Sequence, residues 1–167
     1  MQLQQGGIAS IIQRQSDPDA FRNLDYDTAQ KRAFMGSRSV GALASNYSHC
    51  QLYNPVSATK VGLVDAIIVS TDADGAILLS TYNDALSTTN LTGANLYLGQ
   101  TPSTVLMGTE QNTSTIGTQF AFFLLTANTP FIIPLARPFL LAPSKGVLLR
   151  PGAVNQSIKV AFFWREL

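Results

Sequence analysis

The segment of the sequence that most clearly predicts the fold is the C-terminal one, Ser157-Ile158-Lys159-Val160-Ala161-Phe162-Phe163-Trp164-Arg165-Glu166-Leu167. Its large apolar side chains recur at every second position, at Ile158, Val160, Phe162 and Trp164. Successive side chains of a strand point to opposite faces, so this period predicts a half-buried β-strand. Because a terminal segment is ordered only when the fold ties it down, we expect this strand to complete the core of a closed β-sandwich.

The sequence before this strand, from Tyr47 onward, reads as short apolar strands separated by turns. No long amphipathic helix lies between them, which argues against alternating β and α units. The pattern predicts an all-β domain over residues 46–167, an antiparallel β-sandwich of jelly-roll type. The predicted strands are Tyr47–Tyr53, Val61–Ser70, Ala76–Tyr82, Leu96–Leu98, Val105–Met107, Gln119–Thr126, Phe131–Leu135, Lys145–Leu149 and Ile158–Arg165.

Residues 1–45 are predicted to form a mostly irregular N-terminal arm with little core of its own. They hold nine of the 21 charged side chains (11 basic and 10 acidic), all between Arg14 and Arg38. Within the arm, Asp25–Met35 is expected to form a short helix. Its acidic residues lie near the start, its basic residues near the end, and Gly36 would stop it.

The arm is expected to dock on its own body or on a neighbouring subunit, since an ordered segment without a core must pack on something. Nearby aspartates offset its basic side chains, which favours docking on protein over contact with nucleic acid. Deleting residues 1–40 is expected to leave a folded body that no longer assembles. The residues expected to dock are Arg14, Arg22, Lys31, Arg32, Phe34 and Arg38.

Three segments, Phe120–Leu125, Phe131–Ile133 and Phe139–Leu141, are apolar on both faces of a predicted strand. In an antiparallel sheet one face usually meets water and carries polar residues. These segments therefore belong either to a thick single-chain core or to a surface that another copy covers, since large bare apolar patches are rare. For self-association, the expected interface residues are Phe120, Phe122, Phe123, Phe131, Ile133 and Phe163.

The charge content is low and unevenly placed. Charged residues make up 13% of the chain, its net charge is +1, and between Ala85 and Ala136 only Glu110 is charged. Such a surface repels other proteins poorly, which fits coverage by other subunits or simply a β protein rich in Ser and Thr. The net charge gives no support to a general polyanion-binding role. The longest apolar run, Phe120–Leu125, is far shorter than the ~20 residues of a membrane span.

No group of residues predicts catalysis. The chain has one His and one Cys, His49 and Cys50, and neighbours on a strand point to opposite faces. A zinc site needs several such ligands. We therefore expect a non-enzymatic protein without cofactor or metal. A small sugar-active or metal-dependent β-sandwich enzyme is the alternative, and it would need a carboxylate pair or His cluster that the sequence does not offer.

The segment Asp72-Ala73-Asp74-Gly75 has part of the pattern of a calcium loop. With Gly75 at the invariant glycine, Thr81 occupies the twelfth position, where a bidentate Glu is needed. A hairpin turn is the prediction, with a weak surface cation at the two aspartates as the alternative.

Three motifs carry a family resemblance: Gln51-Leu52-Tyr53-Asn54-Pro55, the late segment 143–152 (PSKGVLLRPG), and the terminal Phe162-Phe163-Trp164-Arg165-Glu166. Their order over residues 47–167 resembles small jelly-roll virion structural proteins of tailed bacteriophages, found as capsid decoration (cement) or tail-fibre-associated proteins. The resemblance implies a non-enzymatic homotrimer, made in the host bacterial cytoplasm and located in the virion. Its implied partners are major capsid or tail proteins.

Within that class the alternative is a tail-fibre or receptor-binding module. The uncharged region Leu86–Gly117, rich in Thr, Asn and Gly, has Tyr82 and Tyr97 nearby. Such loops could contact a glycan on the host surface.

Overall fold

The structure, a computed structural model, describes Gln30, residues 32–89 and residues 91–167. In this part the chain is all-β, with twelve strands and no helix. The strands are β1 Ala33–Val40, β2 Tyr47–Asn54, β3 Gly62–Thr71, β4 Gly75–Thr81, β5 Leu91–Thr92, β6 Ala94–Asn95, β7 Leu106–Asn112, β8 Thr118–Leu125, β9 Phe131–Ile132, β10 Phe139–Leu141, β11 Lys145–Pro151 and β12 Ile158–Glu166.

The described strands form two antiparallel sheets that share one core in a sandwich-like arrangement. The first sheet has the order β10-β3-β12-β1-β6, with β9 also paired to β3. The second has the order β5-β7-β2-β11-β4-β8. Apolar side chains from both sheets, such as Phe162 of β12 and Leu149 of β11, meet in a single buried cluster. The prediction of an all-β antiparallel protein is therefore confirmed.

The last strand lies inside the first sheet, between β1 and β3. Its alternate side chains Ile158, Val160, Phe162 and Trp164 are all buried, as the sequence period predicted. Pairing continues to Leu167, whose N–H and C=O bond to Val61 at 3.0 and 3.3 Å. The final residues are thus held by backbone hydrogen bonds as well as by the core.

The predicted helix at Asp25–Met35 is wrong over its last three residues. Ala33 begins β1, which pairs with β12 from Ala33↔Arg165 to Val40↔Ile158. Well-placed charges at helix ends contribute only about 0.3–1 kcal/mol each, whereas the strand gains a full ladder and buries Phe34. The remainder of the predicted helix falls mostly outside the described residues.

Gly36, expected to stop the helix, instead lets the two sheets approach. A Cβ at Gly36 would lie 2.1 Å from Cε of Met107, a buried side chain of β7. The predicted strand at Leu96–Leu98 is also wrong, since these residues form a turn after β6. Residues 33–40, which the sequence grouped with the arm, thus belong to the first sheet.

Edges of the two sheets meet on one side of the molecule. The rings of Phe123 (β8) and Phe131 (β9) lie 5.7 Å apart, and those of Phe120 (β8) and Phe139 (β10) lie 5.5 Å apart. These contacts join the edge of the second sheet to the β9 and β10 strands of the first. The candidate site lies along this side.

Candidate functional site

Strand β8 exposes large apolar side chains where an antiparallel strand usually carries polar ones. Phe120, Phe122 and Leu124 are 48%, 62% and 75% exposed. The alternate residues Ala121 and Phe123 pack against the core. Of the two interpretations of this segment, a thick single-chain core is therefore wrong for the three exposed residues.

The position of β8 makes this exposure significant. It is the last strand of the second sheet and pairs with β4; no other strand of the described residues borders it. Edge strands present unpaired N–H and C=O groups, and proteins usually protect them with Lys, Pro or a bulge. β8 contains neither Pro nor any charged residue.

One β-bulge interrupts the strand at Phe120. Leu79 pairs with Ala121 and Ser80 with Gln119, which leaves Phe120 without a partner on β4. Its ring packs edge-on against Phe139, as a bulge that re-aims a side chain would allow. The bulge leaves Ala121–Leu125 as the regular part of the edge.

Two strands of the first sheet also expose apolar side chains close to this edge. Ile132 of β9 is 49% exposed and Leu140 of β10 is 66% exposed, each next to a residue that faces the core. We call the five residues Phe120, Phe122, Leu124, Ile132 and Leu140 the apolar edge.

Two grooves open along the apolar edge. One of ≈ 370 Å³ is lined by Phe120, Leu140, Val147 and Lys145, among others. The other, of ≈ 540 Å³, is lined by Phe123, Ile133 and the loop 134–138. Both have mainly apolar walls, which suits packing of apolar side chains more than binding of a charged ligand.

The structure brings together only part of the interface set predicted from sequence. Phe120 and Phe122 are exposed on β8. Phe123 and Phe131 are partly buried against each other, and Ile133 is buried. Phe163 lies elsewhere, on the first sheet beside Met35 of β1. The other members of the apolar edge, Leu124, Ile132 and Leu140, were missed, because sequence does not show which strand lies at an edge.

Most of the residues expected to dock the arm either belong to strand β1 or lie outside the described residues. Phe34 is buried in the core, stacked on Trp164, rather than presented on an arm. Arg32 precedes β1 and Arg38 lies within it, both partly buried. Arg14, Arg22 and Lys31 lie outside the described residues, so their docking role stays a prediction.

His49 lies in a buried polar cluster on the second sheet. It pairs in register with Glu110, is fully buried, and lies near the ring of Tyr47, over which the Arg150 guanidinium stacks at 5.0 Å. Burial lowers the pKa of His49, and the Arg150 charge lowers it further. A neutral imidazole is therefore favoured in the folded chain.

The thiol next to this histidine in the chain, that of Cys50, is not an activated nucleophile. Cys50 belongs to the core cluster, and burial raises the pKa of its thiol to about 12. The Glu110 carboxylate accepts hydrogen bonds from the Ser87 N–H and the Asn112 side chain, both at 3.0 Å. The cluster thus holds the loop at Ser87 in place and provides no activated thiolate.

The aspartates of the β3–β4 turn hold neighbouring loops. Asp72 Oδ1 accepts from the Ser157 N–H at 2.8 Å, and Asp74 Oδ1 accepts from the Ala127 N–H at 2.7 Å. Across the described ranges, no three side chains among His, Cys, Asp and Glu come close enough to bind a metal ion. The turn therefore has a clear structural task.

The tyrosines proposed for glycan contact lie in different sheets. Tyr82 follows β4 of the second sheet, and Tyr97 follows β6 of the first. Tyr97 and Leu98 are 46% and 85% exposed in the turn after β6.

The chain matches no protein-family model, no curated protein and no solved structure. In the part that the structure describes, no helix is long and apolar enough to cross a membrane.

Proposed function

We propose that this chain is a non-enzymatic structural protein of a bacteriophage virion, a capsid decoration (cement) protein. Its jelly-roll-like sandwich would self-associate, and the residues before β1 would dock on neighbouring virion subunits such as the major capsid or tail proteins. The observation that carries the self-association is the apolar edge, whose strand β8 is uncharged and pairs with no strand of the described residues except β4.

The exposure of β8 supports coverage by another protein. Phe120, Phe122 and Leu124 lie within five residues of one edge strand and are 48%, 62% and 75% exposed. Exposed apolar patches often mark contacts with other proteins. Burying apolar surface stabilises a contact by roughly 25 cal/mol per Å².

The virion part of the proposal rests on the three sequence motifs. Two polar residues of the first motif, Gln51 and Asn54, hold neighbouring loops in place through hydrogen bonds. The Gln51 amide donates to the carbonyls of Tyr82 and Asp84 at 3.0 and 2.8 Å, and the Asn54 amide donates to those of Lys60 and Leu141 at 2.8 Å. These hydrogen bonds fix the neighbouring loops on the sheet.

The resemblance implies a homotrimer, and a second apolar surface is available for a three-fold contact. Met35 and Phe163 are paired neighbours on β1 and β12, with Met35 exposed and Phe163 partly buried. We propose this surface, not the apolar edge, as the candidate for three-fold packing.

Two measurements test the proposal. Light scattering of the purified full chain should give the mass of an oligomer. Immunogold labelling with an antibody to the chain should mark the capsids of purified particles of the phage that carries its gene. A monomeric mass would overturn the self-association, and unlabelled particles would overturn the virion role.

A tail-fibre or receptor-binding module is the second candidate, favoured by the exposed Tyr97 and Leu98. Label on tails rather than capsids would support it. Purified protein should then bind host cells, and Tyr97→Ala should weaken that binding. Cell binding that Tyr97→Ala leaves unchanged would count against this turn as the contact.

A further inference from the structure

We infer that the partner at the apolar edge is a second copy of this chain, joined by antiparallel pairing of β8 with the β8 of that copy. This inference rests on the proposed self-association and names the strand and the symmetry of one contact. It concerns a contact separate from any three-fold packing.

The backbone of β8 is arranged for such pairing. From Gly75↔Leu125 to Leu79↔Ala121 it pairs with β4 in unbroken register, so Ala121–Leu125 is a regular strand. Its N–H and C=O groups that point away from β4 border no further strand of the described residues. Antiparallel pairing about a two-fold axis would give both copies the same new hydrogen bonds.

The side chains of β8 match themselves under this symmetry. Phe122 and Leu124 share the exposed face, since residues two apart on a strand lie on the same side. A two-fold axis near Phe123 would place Phe122 of each copy beside Leu124 of the other. Cross-strand pairs of this kind contribute roughly 0.2–1 kcal/mol each.

Charge favours a partner with this same strand. No charged residue occurs between Glu110 and Arg137, so two copies of β8 can approach without opposing like charges. Like charges directly opposite each other are what usually prevents identical edges from pairing. A strongly acidic or basic partner would find no complementary charge on β8.

The short strands at the opposite edges of the two sheets explain why the pairing would join only two copies. The opposite edges of the two sheets are β5 and β6, each of only two residues. Edges this short give little template for another strand. Joining two β8 strands therefore uses the longest edge strand of the described residues on each copy and closes the contact.

The test is the mass of the full chain in solution, measured for the wild type, for Phe122→Lys and for the control Val56→Lys. Val56 is 77% exposed in the turn after β2, away from β8. The oligomers of the wild type and of Val56→Lys should contain an even number of chains. The oligomer of Phe122→Lys should contain half that number. Circular dichroism checks that each variant is folded, and Leu124→Lys serves as a second variant at the same edge.

Disulfide formation gives an independent readout. On oxidation, a mixture of Phe122→Cys and Leu124→Cys chains should form a cross-linked pair more readily than either variant alone, because the proposed register places these two positions side by side. Folded chains that assemble but never cross-link would overturn the inference.

The outcomes separate the two proposals. A trimer that Phe122→Lys leaves intact overturns the β8 pairing while self-association stands. A wild-type monomer overturns both. A mass that is halved by Phe122→Lys and unchanged by Val56→Lys supports the pairing.

Discussion

The rings of Phe34 and Trp164 are stacked, with centroids 6.1 Å apart and planes inclined by 21°. The two residues are paired neighbours on β1 and β12. The Trp164 Nε1–H also donates to Ser103 Oγ at 3.1 Å, which ties the loop before β7 to the same ring. Strand β1 is therefore part of the core that the C-terminal strand closes, and an arm can begin only before it.

Truncation should show this boundary. A chain lacking residues 1–31 should still fold and unfold cooperatively, because β1 remains. A chain lacking residues 1–40 should lose β1, its ladder with β12 and the packing of Phe34. Removing a buried Phe alone costs about 3–5 kcal/mol, so this chain should lose most of a typical total of about 5–15 kcal/mol.

Urea unfolding followed by circular dichroism measures both truncations. The pairing of β1 with β12 argues against the expectation that a chain without residues 1–40 remains folded. Equal stability of the two truncated chains would contradict the role given to β1.

Gly93 should be intolerant of a methyl group. A Cβ there would lie 2.1 Å from Cη2 of Trp164 and 3.2 Å from the backbone oxygen of Met35. Gly93→Ala should therefore lower the free energy of unfolding by about 1–3 kcal/mol, the usual cost of overpacking. Gly41→Ala is the matched control, since a Cβ at Gly41 meets nothing within 4 Å. Similar urea midpoints for the two variants would contradict the close packing at Trp164.

The free energy of unfolding should fall as the pH drops below the ordinary pKa of histidine, about 6.5. Burial and Arg150 lower the pKa of His49 in the folded chain, so between this lowered pKa and 6.5 the unfolded chain binds more protons. The loss is at most about 1.4 kcal/mol per pH unit for one such group.

Urea unfolding at pH 7.5, 6.5 and 5.5 measures this dependence. His49→Gln should flatten the profile in that interval, whatever its effect on stability at pH 7.5. The hydrogen bond from the backbone N–H of Ser87 is the main cause of the lowered pKa of Glu110. The stability that ionised Glu110 contributes is therefore lost only as the pH falls below the ordinary pKa of a carboxyl group. A wild-type profile that matches His49→Gln would rule out the buried neutral imidazole.

The thiol of Cys50 should be inert in the folded chain. It is buried in the core, and burial raises its pKa to about 12, so almost no thiolate exists at pH 8. A thiol-specific colorimetric reagent should react with it only after denaturation. In a chain with Val56→Cys, one thiol should react in the native state, because position 56 is 77% exposed. Rapid native labelling of the wild type would contradict the placement of Cys50.

Local patterns predicted several features correctly. The alternation of Ile158, Val160, Phe162 and Trp164 depends only on the period of a strand, and β12 buries all four. The turn at 72–75 connects β3 and β4, as its Asp and Gly content predicted. The prediction of a helix across Ala33–Met35 was wrong because charges at helix ends stabilise less than pairing with β12, which is more than a hundred residues away in the chain.

The alternation of β12, the absence of charge from the β8 region and the single His49 and Cys50 are evident from the amino-acid sequence alone. The order of the strands is evident only from the folded chain. It places β8 at an edge rather than in a sheet centre, Phe34 beneath Trp164, and Glu110 and Arg150 beside His49. The physical reason is that side-chain period and charge are local properties of the chain. Strand neighbours are instead set by long-range pairing and shared burial, which no short stretch of sequence contains.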